Sequence, residues 1–362
     1  MSIYDIIIVG GGIGGSMATL HSTGKVILIE KKKKIGYPPK CGEGLIGKAI
    51  NSFNLEEHVK DANKFHKMEF NFPNGRQKIL KFHLHEGYVI NKDKFIQGIL
   101  HEAVKKDDIS LTVRTNTIAD YADGKIILNE NEEVTGKIII AADGIFSNIG
   151  RKTGMTSPLK PEDVHTCAQY TLKGYFDSDA IKIFLGEPYA PNGYAWIFPK
   201  STKIANVGLG IQGSLHLNVK EQLDWFINDY YSEATKGNFF TAPVCLAQPA
   251  KQCVKDNIIL VGDAARFTQA CSGGGIANAL LSGKTAGEVA SKYLKGETNL
   301  NTYQHLMYTQ LYPKLIRAYK FKQKIMKDGG MDKFYRMVTW VLYFHKIFPK
   351  FIEEHAFSKI RF

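Results

Sequence analysis

The sequence predicts an α/β protein with a Rossmann-like nucleotide-binding domain, an inserted antiparallel-sheet domain and a C-terminal helical segment. Two observations predict the first domain. Short buried strands rich in β-branched residues recur along the chain, and the first of them leads directly into Gly10-Gly11-Gly12-Ile13-Gly14-Gly15. A stretch rich in aromatic and β-branched residues, 164–213, predicts the antiparallel sheet. At 362 residues, the chain is long enough for roughly two domains.

The N-terminal segment has the pattern of a βαβ unit. Residues 3–9, Ile-Tyr-Asp-Ile-Ile-Ile-Val, predict a buried parallel strand. We expect a turn over 10–15, a helix beginning within 16–22, and a second buried strand over 26–29 that ends at Glu30. This arrangement fits the dinucleotide fingerprint. Its glycines allow a tight turn and close approach of a pyrophosphate, and the acidic residue accepts hydrogen bonds from a ribose.

The remaining elements alternate between nucleotide-type strands and sheet-rich segments. In chain order they are a hairpin within 67–90 that turns at Pro73-Asn74-Gly75, a helix over 93–105, buried strands over 138–142 and 258–261, a helix over about 275–294 and a helical tail from about 301. One domain is therefore assembled from separate stretches. We assign 1–65, 91–155 and 254–295 to a nucleotide-binding domain, 66–90 and 156–253 to an antiparallel-sheet substrate domain, and 296–362 to a C-terminal helical region.

A second glycine-rich motif distinguishes FAD from NAD as the nucleotide. Gly262-Asp263-Ala264-Ala265 follows the strand over 258–261 and leads into Ser272-Gly273-Gly274-Gly275-Ile276. An aspartate at a strand end can bind a hydroxyl of the ribityl chain or beside the pyrophosphate. The glycines then allow the N-terminus of the next helix to approach a flavin ring. Together with the N-terminal fingerprint, this motif indicates FAD.

The motifs together resemble a known group of flavoproteins. The fingerprint, Ala142-Asp143-Gly144 with Ser147 and Arg151, and Gly262–Ala265 resemble the para-hydroxybenzoate-hydroxylase-like flavoproteins. Within that group, two segments resemble the geranylgeranyl reductase family, in particular its archaeal digeranylgeranylglycerophospholipid reductase-like branch. They are Lys40-Cys41-Gly42-Glu43-Gly44 and Pro191–Pro199, which fits the family pattern P-x-x-Y-x-W-x-F-P. The resemblance covers about residues 1–295.

The resemblance implies an FAD-dependent oxidoreductase acting on CH–CH groups. Its implied substrate is an isoprenoid lipid, a geranylgeranyl chain on an archaeal-type glycerophospholipid or on a diphosphate. Hydride would come from N5 of reduced flavin, with a proton added at the other carbon. At one position the family has arginine and this chain has Lys92, a point charge without the bidentate fork. The implied cofactor-binding residues are Gly10, Gly12, Gly14, Gly15, Glu30, Cys41, Gly42, Gly44, Lys92, Ile118, Asp263, Gly274, Gly275 and Ile276.

The aromatic motif supplies the candidate substrate-binding residues. Tyr194, Trp196 and Phe198 alternate with smaller residues, so a strand would place all three on one face. Such a wall would bind an isoprenoid chain and ease positive charge through its π faces. An ordinary core-facing strand is the alternative. Tyr194 and Trp196 are also candidate catalytic residues.

Cys41 is the third candidate catalytic residue, because it lies in a loop that the family places near the flavin. It would act as an acid, or pair with Cys271 as a redox-sensitive disulfide. A buried free thiol is the ordinary state of a cysteine in a cytosolic protein.

Composition and charge exclude several classes of protein. With 44% hydrophobic and 23% charged residues, the chain is globular, and its five cysteines exclude a disulfide scaffold. We expect no metal site, since no C-x-x-C occurs, and His83 and His85 share a strand face without further ligands nearby. No nucleic-acid-binding motif is present, so we expect no nucleic-acid partner.

The net charge of +12 is concentrated in the tail. Residues 296–362 contain twelve Lys and Arg against five Asp and Glu, interleaved with aromatic residues. This pattern is typical of contact with an anionic membrane surface, or with an acidic electron donor such as ferredoxin. A helical cap on the core is the alternative. The sequence has no long apolar run and no charged leader before Asp5, so we expect a cytoplasmic protein, peripheral at the inner face of the cell membrane.

Two other functions share these motifs. The first is an FAD-dependent monooxygenase that hydroxylates an aromatic or quinone-like substrate, and the second is a flavoprotein electron carrier. The aromatic motif favours a reductase over a carrier, because a carrier needs no lipid-sized wall. The electron donor is NADPH or reduced ferredoxin, and Lys31–Lys34 is either a contact for a nicotinamide phosphate or a solvated loop.

Overall fold

The computed structural model describes residues 2–82 and 86–326. The strands are β1 (Ser2–Val9), β2 (Gly24–Ile29), β3 (Gly44–Ile46), β4 (Asn63–Phe65), β5 (Lys67–Asn71), β6 (Gln77–Lys81), β7 (Gly87–Val89), β8 (Ile109–Arg114), β9 (Ala119–Ala122), β10 (Lys125–Leu128), β11 (Glu132–Ala141), β12 (Val164–Lys173), β13 (Ala180–Leu185), β14 (Tyr194–Pro199), β15 (Ile204–Gln212), β16 (Thr235–Cys245), β17 (Val254–Lys255) and β18 (Ile258–Leu260). The helices are α1 (Ile13–Leu20), α2 (Gly47–Ser52), α3 (Lys92–Val104), α4 (Asn148–Lys152), α5 (Val219–Tyr231), α6 (Ile276–Leu294), α7 (Asn301–Gln310) and α8 (Tyr312–Met326).

The chain divides into two units, each assembled from separate stretches. The first comprises Met1–Pro39, Lys92–Leu159 and Cys245–Tyr319, and the second comprises Lys40–Asn91, Lys160–Val244 and Lys320–Phe362. These limits differ from the sequence-based boundaries, which put 40–65 in the nucleotide-binding domain. The physical reason is a three-stranded sheet in which β3 and β4 both pair with β7. These pairings join residues between 22 and 45 positions apart, which local patterns do not reveal.

The first unit contains the nucleotide-type sheet. Its strands run in the order β17-β18-β11-β1-β2-β8, and β1, β2, β8, β11 and β18 pair in parallel. Residues 6–8, 26–28 and 138–140 are almost fully buried, as expected for parallel strands covered on both faces. The Rossmann-like α/β fold is therefore confirmed.

Helix α1 begins at Ile13, three residues before the predicted start. The first turn of the helix already lies against β1 and β11. A Cβ at Gly15 would lie 1.8 Å from the Gly10 carbonyl oxygen, and one at Gly10 would lie 2.2 Å from the Ala142 carbonyl oxygen. Glycine is therefore required at both positions for this close packing, so the motif serves the fold as well as any ligand.

The second unit contains a seven-stranded sheet in the order β16-β12-β15-β14-β13-β5-β6. All neighbours are antiparallel among β12–β15, as predicted, whereas β13 and β5 pair in parallel. One face packs on α5, which the sequence reading missed, through Ile197, Val207, Leu209, Leu223 and Phe226. Strands β5 and β6 form the predicted hairpin, with Gly75 at φ +75°.

The last described elements are helical, as predicted. Tyr303 of α7 is fully buried, and its hydroxyl donates to the Leu260 carbonyl oxygen at 2.8 Å. Pro313 lies in the first turn of α8, where its missing N–H leaves no helical hydrogen bond unmade. The aromatic segment near Trp340 falls outside the described residues. Within 2–82 and 86–326, no helix has the length and apolar character needed to cross a bilayer.

Candidate functional site

The first candidate site is the glycine-rich turn after β1, in the first unit. Gly10 adopts φ +105°, and its N–H donates to the Ile29 carbonyl oxygen at 2.7 Å. Glu30 is 8% exposed, and its carboxylate accepts from the N–H of Gly11 at 2.8 Å and of Lys32 at 2.9 Å. Each carboxylate oxygen keeps a lone pair beyond these bonds. Glu30 is therefore rigidly placed and can still accept hydrogen bonds from a ribose.

The N-termini of α1 and α6, both in this unit, lack a side-chain cap. The residues before α1 and α6 are Gly12 and Gly275, and neither makes a capping hydrogen bond. The two helices run side by side in the same direction, since a Cβ at Gly283 would lie 2.2 Å from the Gly14 carbonyl oxygen and one at Gly287 would lie 2.5 Å from that of Ala18. Unpaired N–H groups and aligned helix dipoles together favour an anion such as a diphosphate.

Gly12 lies in open space, so its role differs from that of the glycines that are needed for packing. It has φ −75°, and a Cβ built there meets nothing within 4 Å. No steric demand of the fold therefore requires glycine at this position. Open space at an uncapped helix N-terminus is what a bound phosphate needs, so the residues present fit a dinucleotide.

The structure brings Asp263 and Gly275 together. Asp263 is exposed after β18, and its Oδ1 accepts from the Thr268 hydroxyl at 2.9 Å. A Cβ at Gly275 would lie 3.4 Å from the same oxygen, and Ile276 is the first residue of α6. At Gly274, a Cβ would meet only the Ser272 hydroxyl, at 3.2 Å. The predicted cluster of an aspartate beside a glycine-fronted helix is therefore present.

Ile118 and Lys92 are two further predicted cofactor residues, and the first of them lies near Glu30. Ile118 is 65% exposed and follows Thr117, whose N–H donates to the Glu30 carbonyl oxygen at 3.1 Å. Lys92 is the first residue of α3. Both positions belong to the first unit.

Asp143 carries an unsatisfied buried oxygen. Its Oδ2 accepts from the Ile149 N–H at 3.2 Å, whereas Oδ1 is buried and has no hydrogen-bond partner. Burial raises the pKa of this carboxyl. A buried acceptor without a partner is rare in folded proteins. It marks a place beside the Gly10 turn where a hydroxyl of a ligand could donate.

The second candidate site is the face of the sheet opposite α5, in the second unit. Strand β14 places Tyr194, Trp196 and Phe198 in one row, with ring centroids 5.8 and 6.2 Å apart. Ala195 and Ile197 are fully buried against α5 on the other side. The alternation in the sequence therefore corresponds to an aromatic row on one face. We call this surface the aromatic face.

The neighbouring strands make room for the indole. Gly208 of β15 is directly opposite Trp196, and a Cβ there would lie 2.5 Å from the indole Cζ2 atom. Gln169 of β12 pairs with Gly208, and its Oε1 accepts from the Trp196 Nε1–H at 3.1 Å. The indole therefore extends across β15 towards β12, with its one polar atom satisfied.

Two weak acids on this face keep their protons. Burial raises the pKa of the Cys167 thiol to about 12, and it also raises the pKa of the Tyr194 phenol. Both pair with Gly210 across the sheet, so they lie in the same row. Neither group carries a charge at neutral pH, which suits a hydrocarbon ligand.

Residues 41–44, which we call the Cys41 turn, lie on the aromatic face. The Gln169 amide donates to the Cys41 carbonyl oxygen at 3.2 Å, and a Cβ at Gly42 or Gly44 would lie 3.0 Å from the Phe198 ring. The structure thus brings the predicted residues Cys41, Gly42 and Gly44 together with the aromatic row. The two glycines are needed because the backbone contacts the ring directly.

Cys41 and Cys271 are both thiols and are not part of a disulfide. The Glu43 N–H donates to Cys41 Sγ at 3.3 Å, in the second unit. The Cys271 thiol donates to the Ala318 carbonyl oxygen at 3.3 Å, in the first unit.

Four residues keep the Cys41 turn in place, and the sequence did not predict this role for any of them. They are Gln169, Lys200, Asn206 and Glu43. Their side chains contact the Cys41 turn from positions more than a hundred residues away, except for Glu43 itself. Only the motif around Glu43 gave a signal. His83 and His85 lie outside the described residues. In the part of the chain that is described, no group of three His, Cys, Asp or Glu side chains could hold a metal ion.

Comparisons with known proteins agree with this arrangement. Residues 163–245 match the family model of the geranylgeranyl reductase catalytic domain. The matched segment includes β14. The chain is 33% identical to digeranylgeranylglycerophospholipid reductase 2 of Methanococcoides burtonii over 90% of this chain and 84% of that protein. It is 32% identical to digeranylgeranylglycerophospholipid reductase of Methanocaldococcus jannaschii over 91% of this chain and 89% of that protein.

A solved structure gives the same result. A geranylgeranyl bacteriochlorophyll reductase-like protein from Thermoplasma acidophilum superposes with a TM-score of 0.81 at 29% identity, covering 90% of this chain and 88% of that one. The agreement extends over both units. On these grounds, the chain belongs to the geranylgeranyl reductase family.

Proposed function

We propose that this protein is an FAD-dependent reductase that saturates the C=C bonds of geranylgeranyl chains on archaeal-type glycerophospholipids, or on geranylgeranyl diphosphate. The observation that carries the proposal is the aromatic face with the Cys41 turn upon it. Its aromatic row provides a ring-lined surface within the segment that matches the family's catalytic domain. Relatives bearing the digeranylgeranylglycerophospholipid reductase name support the lipid as substrate.

FAD is the proposed cofactor, and the residues of the first unit fit it. The uncapped N-terminus of α1 would bind its diphosphate and that of α6 would approach its flavin ring, while Glu30 would bind its ribose and Asp263 a hydroxyl of its ribityl chain. When bound and reduced, FAD supplies the hydride for the alkene. The proposed binding residues are Gly10, Gly12, Gly14, Gly15, Glu30, Lys92, Ile118, Asp263, Gly274, Gly275 and Ile276 in the first unit, with Cys41, Gly42 and Gly44 in the second.

The chain's own residues have three tasks in this reaction. Tyr194, Trp196 and Phe198 bind the isoprenoid chain by apolar contact and exclude water. An isolated alkene has no polarising group, so positive charge develops on carbon as it is protonated. The π faces of Trp196 and Tyr194 stabilise that charge. Cys41, held against the aromatic row, is the proposed group nearest the reacting carbons.

The electron donor and the membrane contact are further parts of the proposal. We propose that NADPH or reduced ferredoxin reduces the flavin, and that the basic tail brings the cytoplasmic protein to the inner face of the membrane. One basic residue of this tail does not contribute to such a surface, because its side chain is buried. Lys322 is 6% exposed and pairs with Asp163 at 2.9 Å, so its charge is neutralised within the protein. The other described basic residues of α8 have exposed or half-buried side chains; they are Lys314, Arg317, Lys320 and Lys324.

An anaerobic turnover assay tests the proposed function. The protein is reconstituted with FAD, reduced with dithionite, and mixed with geranylgeranylated glycerophospholipid in detergent micelles, and the lipid is followed by mass spectrometry. We expect the lipid to gain mass in steps of two hydrogens. A lipid that keeps all its double bonds, with flavin that is reoxidised only when oxygen is admitted, would refute the reductase and favour a monooxygenase.

A further inference from the structure

We propose that Glu43 is a positioning residue, which holds Cys41 against the aromatic row through a buried ionic clamp; the proposal rests on the proposed function of that face. Glu43 is 2% exposed. Its Oε2 accepts from Lys200 Nζ at 2.6 Å and from Asn206 Nδ2 at 2.7 Å. A buried carboxylate is costly unless it is paired and hydrogen-bonded, and these two donors meet that need.

The clamp acts on the backbone of the Cys41 turn. Three successive carbonyl oxygens, those of residues 41, 42 and 43, accept from Gln169, Asn206 and the Ile90 N–H, at 3.2, 3.2 and 3.0 Å. The Asn206 amide bonds both the Gly42 carbonyl oxygen and the Glu43 carboxylate. Glu43 therefore shares a donor with the backbone that precedes it, and its own N–H donates to Cys41 Sγ.

The backbone at Glu43 shows that the side chain matters. Glu43 adopts φ +70°, a left-handed conformation that favours glycine, between two residues that are glycine. A third glycine would relieve the strain and make the turn easier to form. A strained non-glycine residue persists where the surrounding structure holds it in place, and such residues cluster at functional sites. Here the carboxylate anchors the turn to β14's neighbour β15, through Asn206, and to Lys200 beyond the end of β14.

The distinguishing experiment removes both partners of the ion pair. Breaking one partner alone leaves a buried unpaired charge and destabilises the protein, so a loss of activity would be ambiguous. In the double variant Glu43→Met with Lys200→Met, no buried charge is left unpaired, and methionine keeps a similar length and the same backbone strain. The matched control is Glu69→Met with Lys182→Met, a second carboxylate–lysine pair in the same sheet, 3.3 Å apart.

Three quantities are measured on the FAD-reconstituted full chain. The first is the thermal midpoint, the second is the pair of constants kcat and KM for lipid reduction, and the third is the limiting rate of Cys41 alkylation by iodoacetamide at high pH, read on the tryptic peptide. At that pH the thiol is ionised, so the limiting rate does not depend on the fraction of thiolate. For the Glu43/Lys200 double variant we expect a midpoint near that of the control pair, kcat lowered at least tenfold with KM changed less than threefold, and Cys41 alkylation at least fivefold faster.

The outcomes separate this inference from the proposed function. Suppose that the double variant has a thermal midpoint near that of the control pair. If its kcat and its rate of Cys41 alkylation then both stay at wild-type values, Glu43 is only structural and the inference is wrong. The single variant Glu43→Gly, which relieves the strain, gives a second test: wild-type Cys41 alkylation there would also overturn it. If the wild-type protein reduces no lipid but the double variant still releases Cys41, the clamp stands and the proposed function fails.

Discussion

Trp196 has a fully satisfied indole at the centre of the aromatic face, and its substitution is the most direct residue-level test of that face. Trp196→Leu removes the ring contacts with Tyr194 and Phe198 and leaves the Gln169 amide without its indole donor. We expect kcat/KM for lipid reduction to fall at least tenfold, and the free energy of unfolding to fall by about 2–3 kcal/mol.

The matched control for that substitution is Trp225→Leu. Trp225 is 45% exposed on α5 and packs edge-on against Tyr189, away from the aromatic face. It should cost about 1 kcal/mol or less and leave kcat/KM within twofold. Steady-state kinetics and chemical denaturation measure both effects. Equal losses of activity in the two variants would argue against the aromatic face as the lipid site.

Gly12 and Gly15 separate ligand binding from folding. Gly12→Ala places its Cβ in open space, so we expect a loss of stability of at most about 1 kcal/mol from the changed helix cap, with FAD affinity reduced at least tenfold. Gly15→Ala places its Cβ 1.8 Å from the Gly10 carbonyl oxygen and should prevent stable folding. Flavin fluorescence titration and thermal melting distinguish the two. An unchanged FAD affinity in Gly12→Ala would contradict the cradle.

How much of the site was predictable follows from the range of each contact. Gly10, Gly12 and Glu30 lie within one βαβ unit, where the spacing of the motif already determines their relation. Gln169 and Asn206 reach the Cys41 turn from 128 and 164 residues away. Nothing in their local sequence differs from that of an ordinary buried polar residue. Contacts that depend on tertiary pairing have no local signature, so they could not be predicted.

At the scale of elements, strands were easier to predict than their partners. The buried parallel strands of the first unit lie where β-branched runs predicted them, because burial on both faces leaves an uninterrupted apolar pattern. Helix α5 was missed although its apolar residues recur with helical spacing, because the surrounding segment is rich in β-formers. The β3-β7-β4 sheet was missed because its strands have only three residues each. Such short runs carry too little pattern for an assignment.

Strand β12 carries a titratable group that makes stability depend on pH. Burial, with a contribution from the Lys322 charge, lowers the pKa of His165 to about 4, from 6.5 in an exposed histidine. Between these values the unfolded chain binds a proton that the folded chain does not. The contribution of His165 to the free energy of unfolding is therefore fully present above about pH 6.5 and is lost as the pH falls towards 4.

Substitution of the histidine tests this dependence. We expect His165→Gln to flatten the fall of the thermal midpoint between pH 6.5 and 4. His21 of the first unit also has its pKa lowered to about 4, so part of the fall should remain. His305→Gln, on the exposed surface of α7, is the substitution control. Parallel curves for wild type and His165→Gln would show that His165 is charged in the folded protein.

At the scale of the whole molecule, the charge of +12 predicts binding to anionic lipid. We expect the protein to sediment with vesicles containing 30% phosphatidylglycerol at low ionic strength, and to be released at about 0.5 M salt, where screening is strong. Vesicles of phosphatidylcholine alone are the control. Binding that is equal for both vesicle types would contradict an electrostatic membrane contact. Because Lys322 and Asp163 form an internal neutral pair, the double variant Asp163→Asn with Lys322→Gln should leave vesicle binding unchanged.

The proposed reaction transfers reducing equivalents from a flavin to an isoprenoid double bond. The most direct measurement is an anaerobic single-turnover experiment with fully reduced, FAD-reconstituted protein and excess geranylgeranylated lipid. Flavin reoxidation is followed by absorbance, and the lipid is quantified by mass spectrometry in the same sample. We expect one double bond to be lost for each flavin reoxidised, without oxygen, and reoxidation to be at least tenfold slower in Trp196→Leu. Flavin that stays reduced until oxygen enters, with the lipid unchanged, would contradict the proposed reaction.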